Sequence, residues 1–181
     1  MGRRLISTLL FMMVAGTAGA GSISLFGTVW NQNDPGTAAG GGLRLTGAQG
    51  EWRSDVTFSW VTASWTQAAP GGAFANSFDV FPIDIGLRYV APVGFRLQPY
   101  LGGGATYNYV STDVGTVDNK WGWYGVAGLN WGNPYGIDFF VEAIYRDADT
   151  YLKFTDPVAG HQRTRVDLSG LGINLGVVFH L

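Results

Sequence analysis

Along most of the 181-residue chain apolar and polar side chains alternate one for one. A period of two is that of an extended strand with two unlike faces. In "EWRSDVTFSW", Trp52, Val56, Phe58 and Trp60 share one face, and Arg53, Asp55, Thr57 and Ser59 the other. "FPIDIGLRY" sets Phe81, Ile83, Ile85, Leu87 and Tyr89 against Asp84, Gly86 and Arg88, and "FRLQPYLGGGATYNY" sets Phe95, Leu97, Leu101, Ala105 and Tyr107 against Arg96, Gln98, Tyr100, Thr106 and Asn108. The rhythm recurs in "IDFFVEAIYR", where Ile137, Phe139, Val141, Ala143 and Tyr145 oppose Asp138, Phe140, Glu142 and Arg146, and in "GLGINLGVVFHL", with Leu171 to Leu181 on the odd positions. Lys120 to Trp131 makes a sixth strand. Two weaker ones, about Ser22 to Asn31 and Gly40 to Thr46, bring the total to about eight. An even count of antiparallel strands suits a closed up-and-down barrel with both ends of the chain on one side.

The connections follow the same plan. "GAQG", "APVG" and "GNPYG" are tight and glycine-bearing, whereas about Gln32 to Ala39, Gln67 to Asn76, Ser111 to Asn119 and Leu152 to Arg163 are longer. Short and long alternate, as they do in a membrane barrel with tight turns on one side and longer loops on the other. Outside the first twenty residues no apolar run reaches the eighteen residues of a spanning helix. No linker or internal boundary interrupts the hairpin rhythm, so a single all-β domain is expected over 21–181.

Composition decides which face is outside. Charged residues make up 13% of the chain, about half the usual share, while aromatic residues reach 14% and there are 28 glycines. Trp121 and Trp131 stand ten residues apart on one strand, roughly 33 Å of extended chain. At a tilt of about 40° this gives a rise of about 25 Å, the height of the apolar band on a membrane barrel. Aromatic residues cluster toward strand ends with aliphatic residues between them, the arrangement of two membrane interfaces around a hydrocarbon centre. An aromatic girdle of Trp52, Trp60, Phe81, Tyr89, Tyr107, Trp121, Trp123, Trp131, Tyr145 and Phe179 is therefore expected on the lipid side. The opposite face carries Arg44, Arg53, Asp55, Asp84, Arg88, Arg96, Asp138, Glu142 and Arg146, five cations and four anions. On the lipid side such charges would cost about 2–4 kcal/mol each near the midplane; inside a narrow barrel they can pair. An ion network in the lumen is expected, with glycines 86, 102, 104, 128, 170, 172 and 176 making room for Arg, Tyr and Phe.

The first twenty residues have the parts of an export signal: Arg3 and Arg4, an apolar Leu5 to Ala15, and Ala18-Gly19-Ala20 as a cleavage site. Of the eleven basic residues, removing Arg3 and Arg4 leaves nine against thirteen acidic ones, a net charge near −4. Such a balance gives no footprint for nucleic acid. With no cysteine there is no disulfide, thiolate metal site or thiol nucleophile.

At "DIGLRYV", "LQPYLGGGATYNY", "FFVEAIYR" and "GLGINLGVVFHL" the chain resembles the small outer-membrane β-barrel superfamily of the OmpA, OmpX and OmpW type. The likeness is one of pattern over essentially the whole chain after Ala20. It implies an eight-stranded barrel in the bacterial outer membrane, in contact with outer-membrane lipid including lipopolysaccharide and delivered by the barrel-assembly machinery. Members serve as structural anchors, as adhesion or defence proteins, or as narrow conduits for small apolar compounds. Chains of this kind usually close on an aromatic residue, whereas this one ends Phe179-His180-Leu181.

Candidate chemistry is sparse. Some eight-stranded barrels are lipid A deacylases with a His and a Ser two residues apart, a pattern that neither His161 nor His180 begins. Gly102-Gly103-Gly104 runs on into a strand, with no helix N-terminus to bind phosphate. Asp147, Asp149 and Asp156 lack the spacing of a calcium loop. The expectation is a non-enzymatic, monomeric scaffold without cofactor, closed toward the periplasm by Arg44, Arg53, Arg88, Arg96 and Asp138. A shallow outer vestibule would be lined by Thr57, Ser59, Thr106, Asn108 and Tyr124. The alternative is a narrow porin-like channel or a lateral conduit for small apolar molecules.

Overall fold

The computed structural model describes residues 21–33, 36–69, 72–93, 96–112, 116–117, 120–132, 136–156 and 160–181, with side chains described outside 63–78, 112–119 and 149–166. The export signal read over residues 1–20 lies outside the described residues. Eleven strands are formed: β1 (Gly21–Gln32), β2 (Thr37–Gln49), β3 (Trp52–Ala69), β4 (Gly72–Val90), β5 (Leu97–Thr112), β6 (Thr116–Val117), β7 (Lys120–Gly132), β8 (Ile137–Asp147), β9 (Asp149–Asp156), β10 (Gly160–Asp167) and β11 (Gly170–His180). Eight of them close an antiparallel barrel in the order β1-β11-β8-β7-β5-β4-β3-β2. The closing pair is β1 with β11, in register from Ser22↔His180 to Gln32↔Gly170. Closure gives every wall strand a partner on both sides and leaves no free edge.

The alternation read in the sequence becomes inside and outside. On β8 the burial strictly alternates from Ile137 to Arg146, with Asp138, Phe140, Glu142, Ile144 and Arg146 buried. Leu25, Val29, Leu101, Ile173 and Leu175 are half or more exposed and form the aliphatic part of the outward band. Aromatic residues flank it, many paired across neighbouring strands. Trp52 meets Tyr89 with ring centroids 5.3 Å apart, and Trp131 stacks on Phe139 at 6.1 Å, on the side of the short turns. On the opposite side Tyr107 meets Trp121 at 5.1 Å, Phe81 meets Tyr109 at 6.0 Å, and Trp123 meets Tyr145 at 5.5 Å. Such cross-strand aromatic pairs stabilise a sheet by about 0.2–1 kcal/mol each.

The outer end differs from the sequence expectation. β1 and β2 are joined by residues 33–36 alone, so the first outer connection is short. Instead of a loop over Gln67 to Asn76, β3 and β4 stay paired to Ala69↔Gly72. Because β2 leaves β3 at Ala63 and β5 joins β4 at Phe78, this hairpin projects beyond the rim as a two-stranded ribbon. The two remaining outer connections meet in a second sheet, β10-β9-β6. Turn residues such as Pro70-Gly71-Gly72 read as a loop, yet cross-strand pairing carries the ladder up to them.

Candidate functional site: the barrel lumen

The inward faces of β2, β3, β4 and β8 bring the charges together in two layers. In the layer nearer the short turns, Arg44 on β2 forms a two-pronged ion pair with Glu142 on β8, its Nη1 donating to Oε2 at 3.0 Å and its Nη2 to Oε1. β2 and β8 are separated by β1 and β11, so this pair spans the lumen. Glu142 also accepts from the Tyr100 hydroxyl at 2.7 Å and from Asn174 Nδ2 at 2.7 Å. Beside it Arg88 grips Asp55 with Nε and Nη2, and Thr46 donates to Asp55 Oδ1 at 2.7 Å.

One layer further out, Arg146 on β8 reaches Asp84 on β4 at 2.7 Å, again across the lumen. All six side chains are at most 7% exposed. The guanidiniums pack on rings as well: Arg44 lies 5.3 Å from the Phe140 centroid, Arg88 4.7 Å from Tyr100, and Arg146 5.1 Å from Trp30. Two carboxylates that accept several donors, and guanidiniums held between anion and aromatic face, give each buried charge its partners.

Glycine makes this packing possible. A Cβ on Gly128 would come within 2.5 Å of the Tyr100 ring, and one on Gly176 within 2.7 Å of Phe140. Gly102 leaves the same kind of space for Arg88, and Gly86 for the Tyr124 hydroxyl.

Three of the nine charges expected in the network stand apart from these pairs. Arg96 is exposed in the turn before β5, because the strand begins at Leu97 and the alternation does not extend back to it. Arg53 sits at the rim and donates to the Gly50 and Trp52 carbonyls. Asp138 is inside but meets His180 Nε2 at 2.9 Å, a partner 42 positions away that the pairing of β8 with β11 brings beside it. Glu142 and Arg146, four apart on one strand, serve separate layers, since four residues of strand put their Cα atoms about 13 Å apart.

The outer half corrects a second expectation. Thr57, Ser59, Thr106, Asn108 and Tyr124 are buried inside the barrel, but they do not line an open vestibule. Toward the outer end Trp30, Ala38, Val61, Val80, Val110, Ala148 and Leu168 form an apolar cluster that fills the lumen. Five members sit on the inward parity of their strands, while Ala148 and Leu168 lie just beyond the ends of β8 and β10; Trp30 opposite Val29 was the legible signal. Between this cluster and the ion pairs lie buried polar atoms without a protein partner, among them Thr28 Oγ1, Ser59 Oγ, Thr106 Oγ1 and both amide atoms of Asn108.

Among the described barrel pairings the wall has one interruption. Between β3 and β4 the pairing runs from Trp52↔Tyr89 to Phe58↔Ile83 and resumes at Val61↔Val80. The gap lies opposite Pro82, which has no N–H to give to a ladder.

At the rim Trp123 Nε1 donates to Asp147 at 2.6 Å and Trp60 Nε1 to Asp79 at 3.3 Å, which fixes both indoles of the outer girdle. Trp52, Trp60, Phe81, Tyr89, Trp121, Trp123, Tyr145 and Phe179 are exposed, and Tyr107 and Trp131 half-buried. Asp147 also accepts from Ser169. Among the described residues no group of three or more His, Asp or Glu could hold a metal ion; His161, Asp149 and Asp156 have side chains outside them.

No protein-family model and no curated protein matches the sequence. Solved structures do match the fold. The outer membrane protein OprG from Pseudomonas aeruginosa is 17% identical, with a TM-score of 0.76 over 91% of this chain and 97% of that one. Neisserial surface protein A is 17% identical at a TM-score of 0.63, covering 89% and 98%. The outer membrane protein AlkL is 14% identical at 0.61, covering 90% of each chain. The closed barrel, its apolar outward band and these likenesses give the chain the fold of the small eight-stranded outer-membrane β-barrels.

Proposed function

We propose that the chain is a non-enzymatic, monomeric barrel of the bacterial outer membrane with a plugged lumen, a scaffold that holds the β3–β4 ribbon and the β6-β9-β10 sheet at the cell surface for structural or interaction roles. It is surrounded by outer-membrane lipid including lipopolysaccharide, reaches the membrane through the barrel-assembly machinery and needs no cofactor. The observation that carries the reading is the pair of cross-lumen bridges, Arg44 to Glu142 and Arg146 to Asp84. With eight strands the interior is just wide enough for its own side chains, and these side chains meet in the middle. Planar-bilayer recording tests it: wild type gives no steady unitary current. Steady currents that grow in Glu142→Ala would overturn the plugged scaffold.

A second reading has its own support. The apolar cluster in the outer lumen and the break in the ladder opposite Pro82 suit a lateral conduit, which takes small apolar molecules from outside and delivers them sideways into the membrane. Transfer of an apolar fluorophore into proteoliposomes separates the two. The scaffold predicts the rate of protein-free vesicles, and the conduit a faster rate that Pro82→Val lowers.

A further inference from the structure

The lipid-facing wall is not uniformly convex. One register row crosses it as Leu101↔Ala127↔Ala143↔Ile173, on β5, β7, β8 and β11. The two smallest side chains of the row stand next to each other between two large ones. The adjoining row toward the short turns is Leu129↔Val141. Together they bound a groove of about 660 Å³ on the outside of the barrel, almost wholly apolar.

The groove has a direction. It reaches Ala91 and Pro99, at the short-turn end, where the Ala91 amide donates to the Pro99 carbonyl at 2.9 Å. Its other end, at Ala143 and Ile173, lies near mid-strand, between the two aromatic levels. Three residues before Pro99 stands Arg96, exposed in the turn and without an ion pair or hydrogen bond among the described residues. It lies on the short-turn side of Tyr89 and Trp131, at the level where lipid headgroups meet a barrel.

We propose that this groove holds one anionic glycerophospholipid of the periplasmic leaflet, an acyl chain lying over Ala127 and Ala143 and the phosphate against Arg96. An apolar channel that runs from the interface to the bilayer centre has the shape of one acyl chain, and an exposed cation in the turn three residues before Pro99, a lining residue at its short-turn end, complements the one charge the lipid carries there. A second copy of the chain fits less well: a two-fold interface would set groove against groove and enclose a void in place of packed atoms. The inference stands on the orientation of the barrel in its membrane and holds for either reading of the lumen.

Native mass spectrometry of the full chain, released from phosphatidylethanolamine vesicles with a minor fraction of phosphatidylglycerol, tests it. Wild type is expected to retain one phosphatidylglycerol. Filling the groove with Ala127→Leu and Ala143→Leu abolishes the adduct, with heat-modifiable gel mobility as the check on folding. Arg96→Gln, in an exposed turn, lowers retention about fivefold, the effect of one cation near an anionic headgroup. Should the filled variant not fold, a second measurement stands alone: dilute dibrominated phosphatidylglycerol quenches Trp131 at a lower mole fraction in wild type than in Arg96→Gln. Equal retention or equal quenching in wild type and variants overturns the proposal, as does a lipid-free dimer that the filled variant loses.

Discussion

The two halves of the lumen are both closed, by opposite means. Near the short turns Arg44, Glu142, Arg88 and Asp55 close it with ion pairs, and Tyr100, Asn174 and Thr46 take up the remaining donor and acceptor positions. Near the outer rim Trp30, Val61, Val80, Val110 and Leu168 close it by packing. An ionic plug is directional: each group is bound to named partners, and removing one leaves a buried charge behind. An apolar plug is held by area and shape alone, so another apolar body can take its place at small cost. Under the proposed plugged scaffold, the contrast predicts an inner half that excludes ions and water and an outer half that accommodates apolar matter more readily. The wall's one interruption among the described barrel pairings, opposite Pro82, borders this outer half.

The comparison breaks most visibly at Glu142. Glu142→Ala removes the acceptor of Arg44, Tyr100 and Asn174 together. An expected loss of about 3–5 kcal/mol follows from the guanidinium left buried and unpaired. Urea unfolding in lipid vesicles, followed by gel mobility, reads it; a loss under 1 kcal/mol would show that water replaces the carboxylate and that the layer is not a lock. In the next layer Asp84→Leu alone strands Arg146 and is expected to cost about 3 kcal/mol. Adding Arg146→Met should recover most of that, since an apolar pair of similar volume replaces a buried ion pair at little or no cost. A double variant as unstable as the single one would mean that Arg146 is held by something other than Asp84, the Trp30 ring being the other contact seen.

How far the sequence carried this picture depended on whether the answer was local. Alternation is local, so the strands, their inward and outward faces and the aromatic levels could be read from Trp52, Trp121 or Ile173 and their neighbours. Partner choice is not. Arg44 and Glu142 stand 98 positions apart and meet only because β1 and β11 close the barrel between them. Arg96 shows the limit from the other side, since its parity is inward but parity has meaning only while the chain is extended, and the strand starts one residue later. The apolar outer plug was within reach, because Trp30, Val61, Val80 and Val110 all have inward parity. Pairing up to Ala69↔Gly72 was out of reach because Gly and Pro near a turn look the same whether the ladder ends there or continues to it.

Packing in the outer half is tested by Leu168→Ala. The side chain is fully buried, and its loss leaves a cavity with no stranded charge. The expected cost is about 2–3 kcal/mol, in the lower part of the range for large-to-small changes. Here the two halves should separate by readout as well as by size: ion conductance stays at baseline because both ion layers are intact, whereas a small apolar probe should find the new cavity and raise the unfolding midpoint as it binds. Glu142→Ala should show no such rescue by the probe.

The smallest expected effect sharpens the comparison most. Pro82 occupies a wall position at which every other residue type would offer an N–H, and it faces inward between the polar ring and the apolar plug. Pro82→Ala gives β4 a donor and lets the β3 ladder close between Phe58↔Ile83 and Val61↔Val80. One added backbone hydrogen bond is worth about 0.5–1.5 kcal/mol. Part of that is offset by the freedom the unfolded chain regains when proline is removed, about 0.4–1 kcal/mol. The net change in stability should therefore be close to zero, while amide exchange at Ser59 and Val61 should slow, because a paired wall opens less often than an interrupted one. If exchange there is already as slow in wild type as in the middle of β8, the interruption is bridged in the folded barrel and the outer half has no lateral opening to use. If it slows only in the variant, the break is open in wild type, and the wall is weakest beside the plug that apolar molecules can most easily displace.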